Sequence, residues 1–88
     1  MKLMIAIVND ADYDKIARQL TDEQYRVTCI ASTGGLFHRG SSTLLIGLEE
    51  DKIPRAVEII KANTSVTEAG ATHKAAIFVL NIKEYIRV

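Results

Sequence analysis

This sequence has one cysteine, one proline and no tryptophan, and its other aromatic residues are three tyrosines and two phenylalanines. It has no net charge, because eleven basic side chains balance eleven acidic ones. Each shortage removes a class of reading. With Cys29 alone no internal disulfide can form, and a reducing cytoplasm is the expected compartment. Without a net field nothing draws the whole molecule to DNA, RNA or an anionic membrane, so any anion site must be local. Few aromatics lie in the central strands, which therefore lack the stacking platform of an RNA-recognition fold. No apolar run approaches the ~20 residues of a membrane span. The opening "MKLMIAIV" is too short for a signal-peptide core and has no small-residue cleavage pattern. No glycine loop leads into Gly-Lys-Ser/Thr or into a helix, which excludes Walker and Rossmann phosphate loops.

What is present fits one domain over residues 1–88, without internal linker, repeat or low-complexity segment. Residues 3–8 form a continuous apolar strand, stopped by "NDAD", whose Asx residues suit a helix start. Tyr13, Ile16, Ala17 and Leu20 recur at helical spacing, which predicts a helix over about 11–23. "YRVTCIA", residues 25–31, reads as a strand, and "STLLIGL", residues 42–48, as another. In "EEDKIPRAVEIIKAN" three acids and Pro54 open a second helix, with Ile53, Ala56, Val57 and Ile60 as its apolar stripe. "KAAIFVLNI", residues 74–82, is the last strand, and the tail "KEYIRV" is either a short strand or a packed extension.

The order βαββαβ predicts an α+β, ferredoxin-like sandwich: a four-stranded antiparallel sheet with two helices on one face. The opposite face should then be polar, and it is not. Leu3, Ile5 and Ile7 alternate with Met4, Ala6 and Val8, and the last strand is likewise apolar on both sides. A second apolar face on so small a domain marks an interface, so a homo-oligomer is expected. In the second strand Tyr25, Val27, Cys29 and Ala31 should face the helices, while Arg26, Thr28 and Ile30 share the open face. An arginine there needs an acceptor, either a neighbouring subunit's carboxylate or a ligand phosphate.

"STGGLFHRGSST", residues 32–43, is longer than a hairpin requires and holds three glycines, five hydroxyls and a His-Arg pair. Such a loop suits an anion nest with Leu36 and Phe37 as an apolar bed for a base. It is equally readable as a solubilised hairpin turn.

"TGGLFHRGSSTLLIG" after "YRVTCIAS", with "MKLMIAIVND" at the start, resembles the cyclic-di-AMP receptor-like proteins of the PII-like superfamily. The resemblance runs from residue 1 to about 63 and resumes at "GATHKAAIFVLNI". It implies a ferredoxin-like fold, a PII-like homotrimer and a non-catalytic signal receptor with no cofactor. An adenine nucleotide such as cyclic-di-AMP would lie between subunits, with a protein target downstream. By this resemblance Arg26 and Thr28 line the cleft, Gly35, Leu36 and Phe37 wrap the base, and Gly47 allows close approach of the backbone to ligand. Ser41 stands where the family commonly has an asparagine against the base. Leu36-Phe37 reverses the common Phe-Leu order, and residues 64–71 replace a long loop before the last strand.

Other classes have weaker support in the residues. For an enzyme the reactive side chains would be Cys29, His38 and His73, with Cys29 expected in the core as a small hydrophobe. For a PII-like metal-tolerance-type protein the two histidines lack partners at ligand spacing. A small-molecule regulatory module of the amino-acid-binding type would use the first strand–helix turn, but "NDADY" is acidic and without glycine.

Overall fold

A computed structural model describes residues 1–30, 41–64 and 75–88. In chain order the elements are β1 (Lys2–Asn9), α1 (Asp10–Asp22), β2 (Arg26–Ile30), β3 (Ser41–Leu48), a 3-10 turn (Glu50–Lys52), α2 (Ile53–Ala62) and β4 (Ala75–Asn81). The strands form one antiparallel sheet in the order β2-β3-β1-β4. This is the α+β, ferredoxin-like sandwich that the sequence predicts, with every element in place to within about two residues except the start of α2.

Strand alternation decides which side chains make the core. Met4, Ala6 and Val8 of β1 and Leu44, Ile46 and Leu48 of β3 point to one face and are buried there. Ile16 and Leu20 of α1 and Ala56, Ile59 and Ile60 of α2 close over them, with Tyr25, Val27, Ala75 and Ile77 packed at the margin. Ile59 completes the α2 stripe, although its position is absent from the stripe read off the sequence. The turn between helices and strands is fixed by hydrogen bonds. Asn63 Nδ2 donates to Gln19 Oε1 at 2.7 Å and ties α2 to α1. Tyr25 Oη donates to the Lys52 carbonyl at 3.0 Å and ties β2 to the start of α2.

Two local details differ from the sequence reading. Asn9 occupies the α1 N-cap with extended backbone, but its side chain makes no capping bond. The charges of Asp10 and Asp12 in the first turn complement the helix N-terminus. The acids Glu50 and Asp51 form the 3-10 turn, and α2 begins only at Ile53, with Pro54 in its first turn. At the other end of α1 the chain reverses through a Schellman motif. Tyr25 N–H donates to the Leu20 carbonyl at 2.9 Å and Gln24 N–H to that of Thr21 at 2.9 Å. Gln24 takes the left-handed conformation there, with φ of 68°.

The face without helices carries Arg26, Thr28 and Ile30 on β2, opposite Gly47, Leu45 and Thr43 on β3. Beside them run Leu3, Ile5 and Ile7, and then Leu80, Phe78 and Ala76 of β4. Phe78 and Leu80 are 54% and 47% exposed. The face is apolar from Leu45 across β1 to β4, and polar along β2 and at the Ser41–Thr43 end of β3. The tail after β4 is not a strand: Ile82 N–H donates to the Met1 carbonyl at 3.2 Å, and residues 82–88 continue without regular structure.

Candidate functional site

The open face holds a groove of about 470 Å³. It exists because Gly47 leaves a gap in the row of side chains. An added Cβ at Gly47 would meet nothing within 4 Å, so packing within the chain does not require glycine there. Gly47 and Leu45 form the floor, Leu3 of β1 flanks it, and Arg26 and Thr28 rise from β2. The tail supplies the remaining wall through Ile82, Tyr85 and Arg87. Met1 lines the groove as well, and the polar side chains in it are two guanidiniums, a hydroxyl and a phenol. Among the described residues lining it there is no carboxylate, histidine or thiol.

A groove of this composition can bind an anion with attached apolar surface. A guanidinium stays charged at any physiological pH and matches a phosphate with a planar fork of donors. Thr28 adds a hydroxyl donor, and Leu3 and Leu45 offer apolar surface to a base or sugar. The guanidiniums of Arg26 and Arg87 make no ion pair or hydrogen bond with another described residue. In contrast, Arg55 holds Glu23 at 2.9 and 2.6 Å and also pairs with Glu58. Arg55 therefore depresses the Glu23 carboxyl below its ordinary range.

Of the site residues expected from sequence, Arg26, Thr28 and Gly47 come together in this groove. Ser41 is at the other end of β3, paired with Asn9. It lies six residues along the strand from Gly47, roughly 20 Å away. Gly35, Leu36, Phe37, His38 and His73 lie outside the described residues, as do most of residues 64–71. Cys29 departs from its expected burial. It faces the helix side, opposite Leu44 in the register, but it is exposed because β2 is an edge strand. It hydrogen-bonds Tyr13, and this bond, followed by desolvation, pushes the Tyr13 phenol up to about 12. Both groups are on the opposite side of the sheet from the groove.

Tyr85 and Arg87 were missed by the sequence reading. Their one signal was the alternation in "EYIRV", which places Tyr85 and Arg87 on one side of an extended tail and Ile86 and Val88 on the other.

Residues 1–74 match the family model described as cyclic-di-AMP receptor. Among solved structures, the crystal structure of a functionally unknown protein from Pediococcus pentosaceus ATCC 25745 is similar at 34% sequence identity, with a TM-score of 0.80. The match covers 99% of this chain and 96% of that one, so the short connection before β4 does not set this chain apart from it in length. By sequence match and by fold, this chain belongs to the cyclic-di-AMP receptor family of PII-like proteins, a family of binding and regulatory proteins.

Proposed function

We propose that the protein is a non-catalytic, cytoplasmic signal receptor. It assembles as a homotrimer and binds an adenine nucleotide such as cyclic-di-AMP in the clefts between subunits. Occupancy is passed to a protein target. The observation that carries this reading is the meeting of Arg26, Thr28 and Gly47 in one groove that has unpaired cations and no carboxylate among its described lining residues. Those groups bind and orient a phosphate; they supply neither a nucleophile with a base nor a general acid. The family match supports a cyclic dinucleotide as ligand.

The assembly follows from the same face. Leu3, Ile5, Phe78 and Leu80 continue the groove toward β4 as apolar surface that a single chain leaves in water. Packing subunits through that surface places the groove at a subunit boundary. A neighbouring subunit then covers the open side of the groove, and the resemblance to the family assigns Gly35, Leu36, Phe37 and Ser41 to the ligand's enclosure.

Isothermal calorimetry tests the reading, with the oligomer fixed first by light scattering and cyclic-di-AMP, ATP, ADP, AMP and cyclic AMP as titrants. One saturable site per subunit supports a nucleotide receptor. Silence from every nucleotide on an intact trimer overturns it and leaves a small-molecule regulatory module or a metal-tolerance-type protein as the reading to pursue.

A further inference from the structure

We infer that copies of the chain join edge to edge, with β4 of one added as an antiparallel strand beside β2 of the next. This contact differs from the face packing described above; it rests on the oligomer and needs no ligand. β2 and β4 are the two edges of the sheet. Edge strands that stay unpaired are blunted by charge, proline, bulges or short length. β4 has none of these: Ala75–Asn81 runs for seven residues with no charged residue, proline or glycine. It is exposed on both faces of the sheet, at Phe78 and Leu80 on the open one and at Val79 on the other. Val79 is 45% exposed although it pairs with Met4, which is fully buried on the same face. Packing through the open face alone would leave Val79 in water.

β2 repeats the pattern. Beyond Arg26 it has no charge, and Ile30 is exposed on the open face while Cys29 is exposed on the helix side. Among the described residues, every exposed large apolar side chain lies on these two strands, at Met1 or in the tail after β4. A β4–β4 pair would make a dimer and leave both β2 edges open. β4 against β2 is a head-to-tail contact, which closes into a ring with no edge left over. Strand direction agrees. The four strands alternate across the sheet, so β2 and β4 of one chain are antiparallel. A copy continuing past β4 in the same sense keeps that alternation, and the new ladder pairs backbone groups that a single chain leaves to water.

Cys29 makes the contact testable, because it is the only cysteine in the sequence and sits exposed on β2. In a continued sheet it faces the same side as Ala75, Ile77 and Val79 of the next copy, and the opposite side from Ala76. Opposed residues of antiparallel strands have Cα atoms about 4.5–5.5 Å apart, within reach of a disulfide. Ala75→Cys, Ile77→Cys, Val79→Cys and, as a control, Ala76→Cys are made singly in the full chain. Light scattering and melting curves establish oligomer and fold, and diamide oxidation is read on denaturing gels without reductant. The expected result is that at least one of the first three links most of the protein into dimers and trimers. The links disappear with reductant or on adding Cys29→Ser, and Ala76→Cys forms none. Dimers that survive Cys29→Ser show β4 against β4 and overturn the inference. No link at any of the three positions in an intact oligomer also overturns it, and leaves the face-packed oligomer standing. A parent that runs as a single chain removes both.

Discussion

Arg26 stands directly opposite Gly47 across the β2–β3 ladder, on the sheet face without helices. The residue that opens the gap and the residue that puts a charge beside it are thus a cross-strand pair. Glycine inside a strand is unfavourable for folding, and no neighbouring atom of this chain demands it here. Its use is space beside a cation.

Gly47→Ala should therefore separate folding from binding. The added methyl should leave stability unchanged or raise it by up to about 1 kcal/mol. It should weaken nucleotide binding roughly ten- to hundredfold, because it occupies the groove floor. Thermal melts and calorimetry on the same preparation read both; a variant that melts lower and binds normally would contradict this role.

Arg26→Ala should weaken a phosphate ligand roughly ten- to hundredfold and leave the oligomer intact. Unchanged affinity would show that the groove is misassigned. Dissociation of the oligomer would show that Arg26 pairs subunits instead of holding ligand.

Phe78→Asp or Leu80→Asp should convert a trimer to single chains, since each would place a carboxylate in the apolar surface proposed to pack between subunits. Light scattering decides the matter. A parent protein that already runs at the 9.7 kDa of one chain would refute the assembly.

The Glu23–Arg55 pair predicts a specific pH response. Arg55 lowers the folded-state pKa of Glu23, so the pair's contribution is fully present above the ordinary carboxylate value of about 4.3 and is lost as pH falls through the depressed value. Arg55→Ala should thus be less stable than the parent near neutrality and converge with it in acid. Both side chains are substantially exposed, so the difference should be small. Denaturation midpoints at about pH 6 and about pH 3 check the convergence; equal spacing at both would exclude it.

Gln24→Gly should stabilise the chain by up to about 1 kcal/mol, because Gln24 holds a left-handed conformation that glycine adopts without steric conflict. A lower denaturation midpoint in the variant would mean that the glutamine side chain contributes more than its backbone strain costs.

Much of this was legible in the residues. The alternation of Met4, Ala6 and Val8 against Leu3, Ile5 and Ile7 gave β1 two apolar faces, and the helical spacing of Ile16 and Leu20 marked what covers one of them. Periodicity is local and survives without knowledge of the partner strand. It also put Arg26 and Thr28 together on the open face, and the resemblance to the family pointed to Gly47 from "STLLIGL".

Other features depended on register and chain path, which no local pattern contains. Cys29 was expected to be buried, but β2 is an edge strand of the sheet, and its thiol is exposed. That Gly47 falls opposite Arg26 and beside Leu3 follows from the alignment of β3 with both neighbours. Tyr85 and Arg87 lie far along the chain from Arg26 and carry no periodic signal strong enough to place them. Only the return of the tail past Met1 brings them to the groove. The sequence by itself determined the elements, the helix-covered face and the polar strand, because each depends on neighbours a few residues away. The tertiary structure decided the groove, because its walls come from β2, β3, β1 and the tail, and their meeting depends on long-range pairing.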